Sequence, residues 1–341
     1  MQLLIIGDTH FKKISNNIES RYRTRVLEFI KGVIEKHNIK HALQLGDFFD
    51  DRRKIDVEAF QNTLSDYKKT FGGLDKFYAL LGNHDTYYKS TNEVYSTSLT
   101  ASILDNFEVV DKIRELDFGY VCPWVNDSNL FQFEEMMTDI KDKNVFGHFE
   151  INGFAKVKGF QETNGISLKS LRQAKNVISG HFHLTQDNGN ISYVGSLFQN
   201  DFNDVNDIKR VFIFDTETDE YQEIRIPITL FERVSISEES QMINELINSF
   251  TDKIVQVIFN IEKSVKREKF IQKLIDTDVI SDIKIIDNSA LLDEKVELNN
   301  TNEDIIEIFS DYIQTSEVID DERKEHLKEM FVETYENIKE G

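Results

Sequence analysis

Phe77-Tyr78-Ala79-Leu80-Leu81-Gly82-Asn83-His84-Asp85 is the stretch that decides how this chain is read. Its five apolar residues form an unbroken run, which predicts a buried strand. The polar tetrapeptide that follows stands at the strand's C-terminal end, where open α/β sheets place their ligands. Asn83 offers an amide oxygen to a hard metal ion. His84 offers an imidazole for proton transfer, and Asp85 a carboxylate to orient it.

One such tetrapeptide is a weak signal; four more clusters of the same kind complete it. Asp8-Thr9-His10 follows the apolar run 2–6. Gly46-Asp47-Phe48-Phe49-Asp50 follows 42–45, Gly147-His148 follows 144–146, and Gly180-His181-Phe182-His183 follows 176–179. Between them, Val26, Ile30, Val33 and His37 share a face, with Leu27 and Ile34 beside them, so an amphipathic helix is predicted over 21–37. A second is predicted over about 56–70, stopped by Gly72-Gly73. This β-α-β-α-β order predicts a parallel sheet with right-handed crossovers. Asp187-Asn188-Gly189-Asn190 is a turn between strands. Of eight histidines, five sit in the strand-end clusters; His37, His41 and His326 lie outside and read as incidental.

Asp8, His10, Asp47, Asn83, His148, His181 and His183 are more ligands than one ion needs. Two ions sharing one carboxylate would use them all. Carboxylate, imidazole and amide oxygen without thiolate suit Mn²⁺ first, with Fe²⁺, Zn²⁺ or Mg²⁺ as alternatives.

The chain has 341 residues, enough for two or three domains. It is 40% hydrophobic with 26 Phe, so it can bury a large interior. No run approaches the roughly 18 apolar residues of a membrane span, and the N-terminus has no secretory pattern, so a cytoplasmic protein is expected. Cys122, the single cysteine, excludes an intrachain disulfide framework and reads as a small core residue, with a nucleophile as the sharper alternative. Net charge is -21, which argues against a nucleic-acid binder. Yet 287–341 carries 17 Asp/Glu against 5 Lys/Arg, so over half of the excess lies there. Basic residues cluster near the N-terminus: Lys12, Lys13, Arg21, Arg23, Arg25, and then Arg52-Arg53-Lys54.

Together the five blocks, D-x-H, G-D-x-x-D, G-N-H-D, G-H and G-H-x-H, resemble the calcineurin-like metallophosphoesterase superfamily over residues 8–183. The resemblance implies a β-sandwich core flanked by helices. It implies that Asp8, His10, Asp47 and His183 hold one ion, and that Asp47, Asn83, His148 and His181 hold the other, with Asp47 bridging. His84 would be the general acid, paired with Asp85. Asp50 would take part in catalysis or only support its loop.

After Pro227 the pattern changes: a strand at 254–261, a helix at 267–275 and a strand at 283–286 suggest a small second unit. An Asn- and acid-rich stretch at 288–302 and a helical remainder follow. This layout resembles the nuclease subunit of SbcCD-type DNA double-strand-break repair complexes, most closely the bacteriophage form. The implied architecture is a nuclease domain over 1–228, an α+β capping domain over 229–287, an acidic linker over 288–302 and a helical ATPase-binding region over 303–341. The implied partners are DNA, an SMC-like ATPase and a second copy docked through N-terminal helices; a phage source would place the protein in the host cytoplasm. Arg52, Arg53 and Lys54 are candidate DNA contacts or else a solvated loop. Leu327, Met330, Phe331, Tyr335 and Ile338 form one helical stripe, for the ATPase or for the chain's own core. The alternatives are a stand-alone phosphatase or cyclic-nucleotide phosphodiesterase, and a non-catalytic scaffold, which should show broken ligands where none is broken.

Overall fold

A computed structural model describes residues 1–14, 16–277 and 282–288. The predicted parallel unit is present. Strands Gln2–Ile6, His41–Gln44, Lys76–Leu80 and Phe107–Val110 run parallel, with helices Asn17–Lys36 and Val57–Phe71 as the first two crossovers. Antiparallel strands Arg210–Asp215 and Glu220–Arg225 complete a six-stranded sheet. A second six-stranded sheet has the order 186–188, 191–193, 176–180, 144–148, 119–122, 114–116, with parallel pairs at its centre.

Side-chain alternation explains why the two sheets stack. Leu3 and Ile5 point one way, meeting Val121, Phe146, Ile178 and Val194 of the other sheet. Leu4 and Ile6 point the other way, against Tyr22, Val26 and Ile30 of the first helix. A strand covered on both faces must be apolar at every position, which is why residues 3–6 show no period of two. The second sheet is covered on its outer face by helix Leu130–Asp139 and by Leu171. The result is a four-layer helix–sheet–sheet–helix sandwich.

The first helix begins earlier than its apolar period suggests, because the Asn16 side chain caps it by accepting from Ile18 N and Glu19 N. Asp56 caps the second in the same way, through Ala59 N. Strands Glu220–Arg225 and Phe231–Ile236 carry no continuous apolar run; each lies at a sheet edge with one side wet, so its polar residues hide it from a hydrophobicity reading.

Residues 231–288 carry a separate three-stranded parallel sheet, ordered Phe231–Ile236, Ile254–Phe259, Asp282–Asp287, with helix Val265–Ile275. Its own core gathers Ile236, Phe250, Val255, Val257, Phe259, Phe270 and Leu274. Buried Arg267 pairs with Asp287 at 2.7 Å and donates to the Ile261 carbonyl at 2.9 Å. The Gln199 side-chain oxygen accepts from Leu230 N and Phe231 N at 2.7 and 3.0 Å, fixing where this unit leaves the sandwich. His326 and the stripe Leu327, Met330, Phe331, Tyr335 and Ile338 lie outside the described residues, as does the linker from residue 289 on. Among the described residues, no helix is long and apolar enough to cross a membrane.

Candidate metal centre

All five clusters meet at one edge of the sandwich. Three follow strands of the first sheet (Asp8 and His10; Asp47; Asn83 and His84), and the other two, His148 with His181 and His183, come from the ends of adjacent strands of the second. Two groups of donor atoms result. In one, Asp8, His10 and His183 bring one atom each within 4.8 Å of one another; in the other, Asp47, His148 and His181 do the same.

In the first group, His10 Nε2 lies 2.9 Å from His183 Nε2 and 3.8 Å from Asp8 Oδ2, which is also 3.8 Å from His183 Nε2. In the second, Asn83 Oδ1 lies 3.0 Å from both His148 Nε2 and His181 Nδ1, and those nitrogens are 3.2 Å apart. Asp47 Oδ2 stands between the groups, 3.4 Å from His148 Nε2 and 3.8 Å from His10 Nε2.

The imidazoles are oriented from behind. His148 Nδ1 is 2.7 Å from the Leu45 carbonyl, which can only accept, so Nδ1 carries a proton and Nε2 faces the centre. His10 Nδ1 faces Asp50 Oδ1 at 3.4 Å, and His181 Nε2 faces Glu150 Oε1 at 3.4 Å. The His181 and Lys156 partners hold the Glu150 carboxyl down to about 2. No motif marks Glu150; its two-residue step from His148 is the one signal the sequence offers for it. The turn carrying His183 is fixed by buried Lys209, which donates to the His183 carbonyl at 2.9 Å and pairs with Asp204 and Asp207 at 2.6 and 2.8 Å. No motif marks that lysine.

This donor set fits divalent cations. Asp8, Asp47 and His148 are fully or almost fully buried. Neutral His148 would point its Nε2 lone pair at Asn83 Oδ1, two acceptors face to face, unless a cation sat between them. With no metal, a proton takes that place. Burial opposes the charged ring, but Asp47 and Asp8 push His148 up to about 9. Asp47 is held well below the usual carboxylate range: burial opposes this, and His148, His10 and His84 outweigh it. Burial and the Asp47 charge raise Asp8, with His148 pulling it back.

Asp85 does not orient His84. Its carboxylate accepts from Phe48 N at 3.0 Å, Phe49 N at 3.2 Å and Gly82 N at 2.9 Å, so it braces the loop between two clusters. Burial and Asp47 raise its pKa to about 6 against those backbone bonds. His84 Nδ1 instead lies 2.6 Å from the Asp50 carbonyl, while His84 N donates to Asp47 Oδ1 at 2.7 Å. Asp50 therefore touches two rings, His10 by its side chain and His84 by its backbone.

Beside the Asp50 loop opens a cavity of about 700 Å³ whose lining includes Lys12, Lys13, Arg53 and Lys54. Arg52 is not part of that lining. Arg53 N and Lys54 N both donate to Asp51 Oδ1, at 2.7 and 3.2 Å, so the basic run is a turned loop. Cys122 is fully buried, and burial pushes its thiol far above the ordinary range, which removes it as a nucleophile.

Residues 1–212 match the family model described as calcineurin-like phosphoesterase. Exonuclease subunit 1 of Enterobacteria phage T4 is 27% identical to the chain over 342 residues, covering 96% of each. A solved archaeal structure, titled "Structural and Functional Characterization of a Novel Archaeal Phosphodiesterase", is 14% identical with a TM-score of 0.34, covering 66% of this chain and 100% of that one.

Proposed function

The chain belongs to the calcineurin-like phosphoesterase family, and we propose that it is the nuclease subunit of a two-metal DNA exonuclease/endonuclease that works with an SMC-like ATPase in double-strand-break repair and recombination. That it is a metal-dependent phosphoesterase, a hydrolase, follows from the family. The nuclease reading is carried by one observation: the similarity to a phage exonuclease subunit runs through 96% of both chains, the small sheet and C-terminal region included.

On this reading, Asp8, His10 and His183 would hold one divalent ion and Asn83, His148 and His181 the other, with Asp47 shared between them. Mn²⁺ is the ion the ligand set favours. Divalent ions held there would supply charge stabilisation for a phosphodiester's oxygens and a more acidic water near neutral pH. His84 does not point a nitrogen into either group. Its Nδ1 is committed to the Asp50 carbonyl, which leaves Nε2 as the atom that can hand a proton to the leaving oxygen. Asp50 positions both His84 and His10. The basic loop Arg52-Arg53-Lys54, with Lys12 and Lys13, supplies phosphate contacts. The C-terminal stripe takes the ATPase, N-terminal helices a second copy, and the complex works in the cytoplasm.

The test is cleavage of linear DNA with Mn²⁺, with and without the co-purified ATPase. His84→Ala should keep its metals and its DNA binding while turnover falls roughly 10²–10⁴-fold. Hydrolysis of a small phosphodiester with no cleavage of any DNA, with or without the ATPase, would point to a stand-alone phosphatase or phosphodiesterase instead.

A further inference from the structure

Trp124 is the chain's single tryptophan, and it stands both against the metal centre and in the lining of a second cavity. Its ring lies against two candidate ligands, with centroids 5.1 Å from His181 in a tilted contact and 5.9 Å from His148 edge-on. The cavity, about 320 Å³, is lined by Trp124, Phe133, Phe149 and Ile166, and it shares His148 and Glu150 with the metal centre. Asn164 and Gly165 supply polar groups to the lining. No lysine or arginine lines it, so it is not built for phosphate.

The tryptophan is also held in place. Trp124 N donates to the Leu81 carbonyl at 2.7 Å, directly before Gly82-Asn83-His84. The Trp124 carbonyl accepts from Asn129 Nδ2 at 3.0 Å and Asn92 Nδ2 at 3.4 Å, and Asn126 Nδ2 donates to Asn92 Oδ1 at 2.6 Å. Asn92 and Asn129 are buried. An aromatic wall, apolar sides and a few polar groups, opening onto a reaction centre, fit a flat neutral heterocycle. The volume suits one such ring and not a base pair.

The geometry points to a nucleobase pocket: the cavity beside Trp124 takes one unpaired base of the strand being cut, stacked on an aromatic wall, while that strand's phosphate lies at the metal centre. Base-on-aromatic stacking tolerates any sequence, because every base has a π face. The pocket thereby selects strands that are single, frayed or splayed open, since a paired base cannot enter. This inference rests on the nuclease reading.

Binding and cleavage test it separately. In the metal-free full-length chain, fluorescence excited at the red edge of indole absorption, where the 11 tyrosines do not absorb, reports on Trp124 alone. Titration with dAMP should change that emission saturably, and 2-deoxyribose 5-phosphate, which lacks the base, should not. With Mn²⁺, single-stranded oligonucleotides carrying one abasic residue at successive positions should be cut roughly 10- to 100-fold more slowly when the gap reaches one fixed position relative to the cut bond. Trp124→Ala should abolish that position dependence, and Trp124→Phe should preserve it. No response to dAMP, or an equal response to both ligands, would overturn the proposal. So would cleavage indifferent to every abasic position, or a Trp124→Ala variant that slows intact and abasic strands equally. If no oligonucleotide is cut at all, the nuclease reading fails, and the dAMP titration still decides whether the pocket takes a base.

Discussion

At the scale of single residues, the centre is assembled by close approach. His10, Asp47 and His181 adopt φ of 41°, 55° and 89°, in the left-handed region that side chains with a Cβ disfavour. Neighbouring clusters hold them there: His10 N donates to the Asp47 carbonyl at 3.0 Å, and His181 N to Asp8 Oδ1 at 3.0 Å. Gly82 matters for a related reason. A Cβ on it would stand 2.1 Å from Asp47 Oδ1 and 2.3 Å from Asp47 N. Gly82→Ala removes no ligand, yet it should displace Asp47, destabilise the fold by about 1–3 kcal/mol and lower Mn²⁺ occupancy; chemical denaturation and elemental analysis read the two effects. Normal occupancy would show that Asp47 can shift without harm. The His148 proton gives a pH prediction. A ligand must be the neutral imidazole, and this ring charges below about 9. Cation and proton therefore compete, and affinity at that site should rise about tenfold per pH unit towards pH 9, with one proton released near pH 7. Calorimetry in buffers of different protonation enthalpy measures that release; none would mean that His148 is not a ligand.

At the scale of elements, each ligand loop depends on the strand before it. The clusters converge because the two sheets stack with these strand ends at one edge, and the stacking is apolar. Phe146, two residues before His148, is fully buried between the sheets with its ring 5.3 Å from Phe214 and 5.6 Å from Phe118. Phe146→Ala should cost about 3–5 kcal/mol in urea or thermal unfolding. A loss under about 1 kcal/mol would mean that the sheets close over the gap. The strands that bear ligands were legible in the sequence, because burial on both faces leaves an unmistakable apolar run. The edge strand Glu220–Arg225 was not, because exposure lets polar residues alternate through it.

At the scale of the molecule, the charge distribution is uneven, with a basic loop beside the metal centre and most of the acidic excess beyond residue 286. Leu327, Met330, Phe331, Tyr335 and Ile338 recur at helical spacing in that acidic region. If the stripe docks on an ATPase, Phe331→Glu should leave Mn²⁺-dependent hydrolysis of a small phosphodiester intact while abolishing co-purification with the ATPase and ATP-stimulated DNA cleavage. Aggregation of the isolated variant would instead assign the stripe to the chain's own core. The sequence by itself determined the strand–loop periodicity and the set of candidate ligands, and with them the kind of metal chemistry they could support, because those depend on residue type and local spacing. Only the tertiary structure decided what stands behind each ligand. Asp85 neighbours His84 in the chain, yet its oxygens turn to the backbone of residues 48, 49 and 82, and the Asp50 carbonyl takes its place. Glu150, Lys209 and Trp124 reach the centre or its loops across gaps of roughly 25 to 45 residues, from Glu150 to His181, Lys209 to His183 and Trp124 to Leu81. Such partnerships are set by sheet stacking and loop closure, for which a linear sequence carries no local signal.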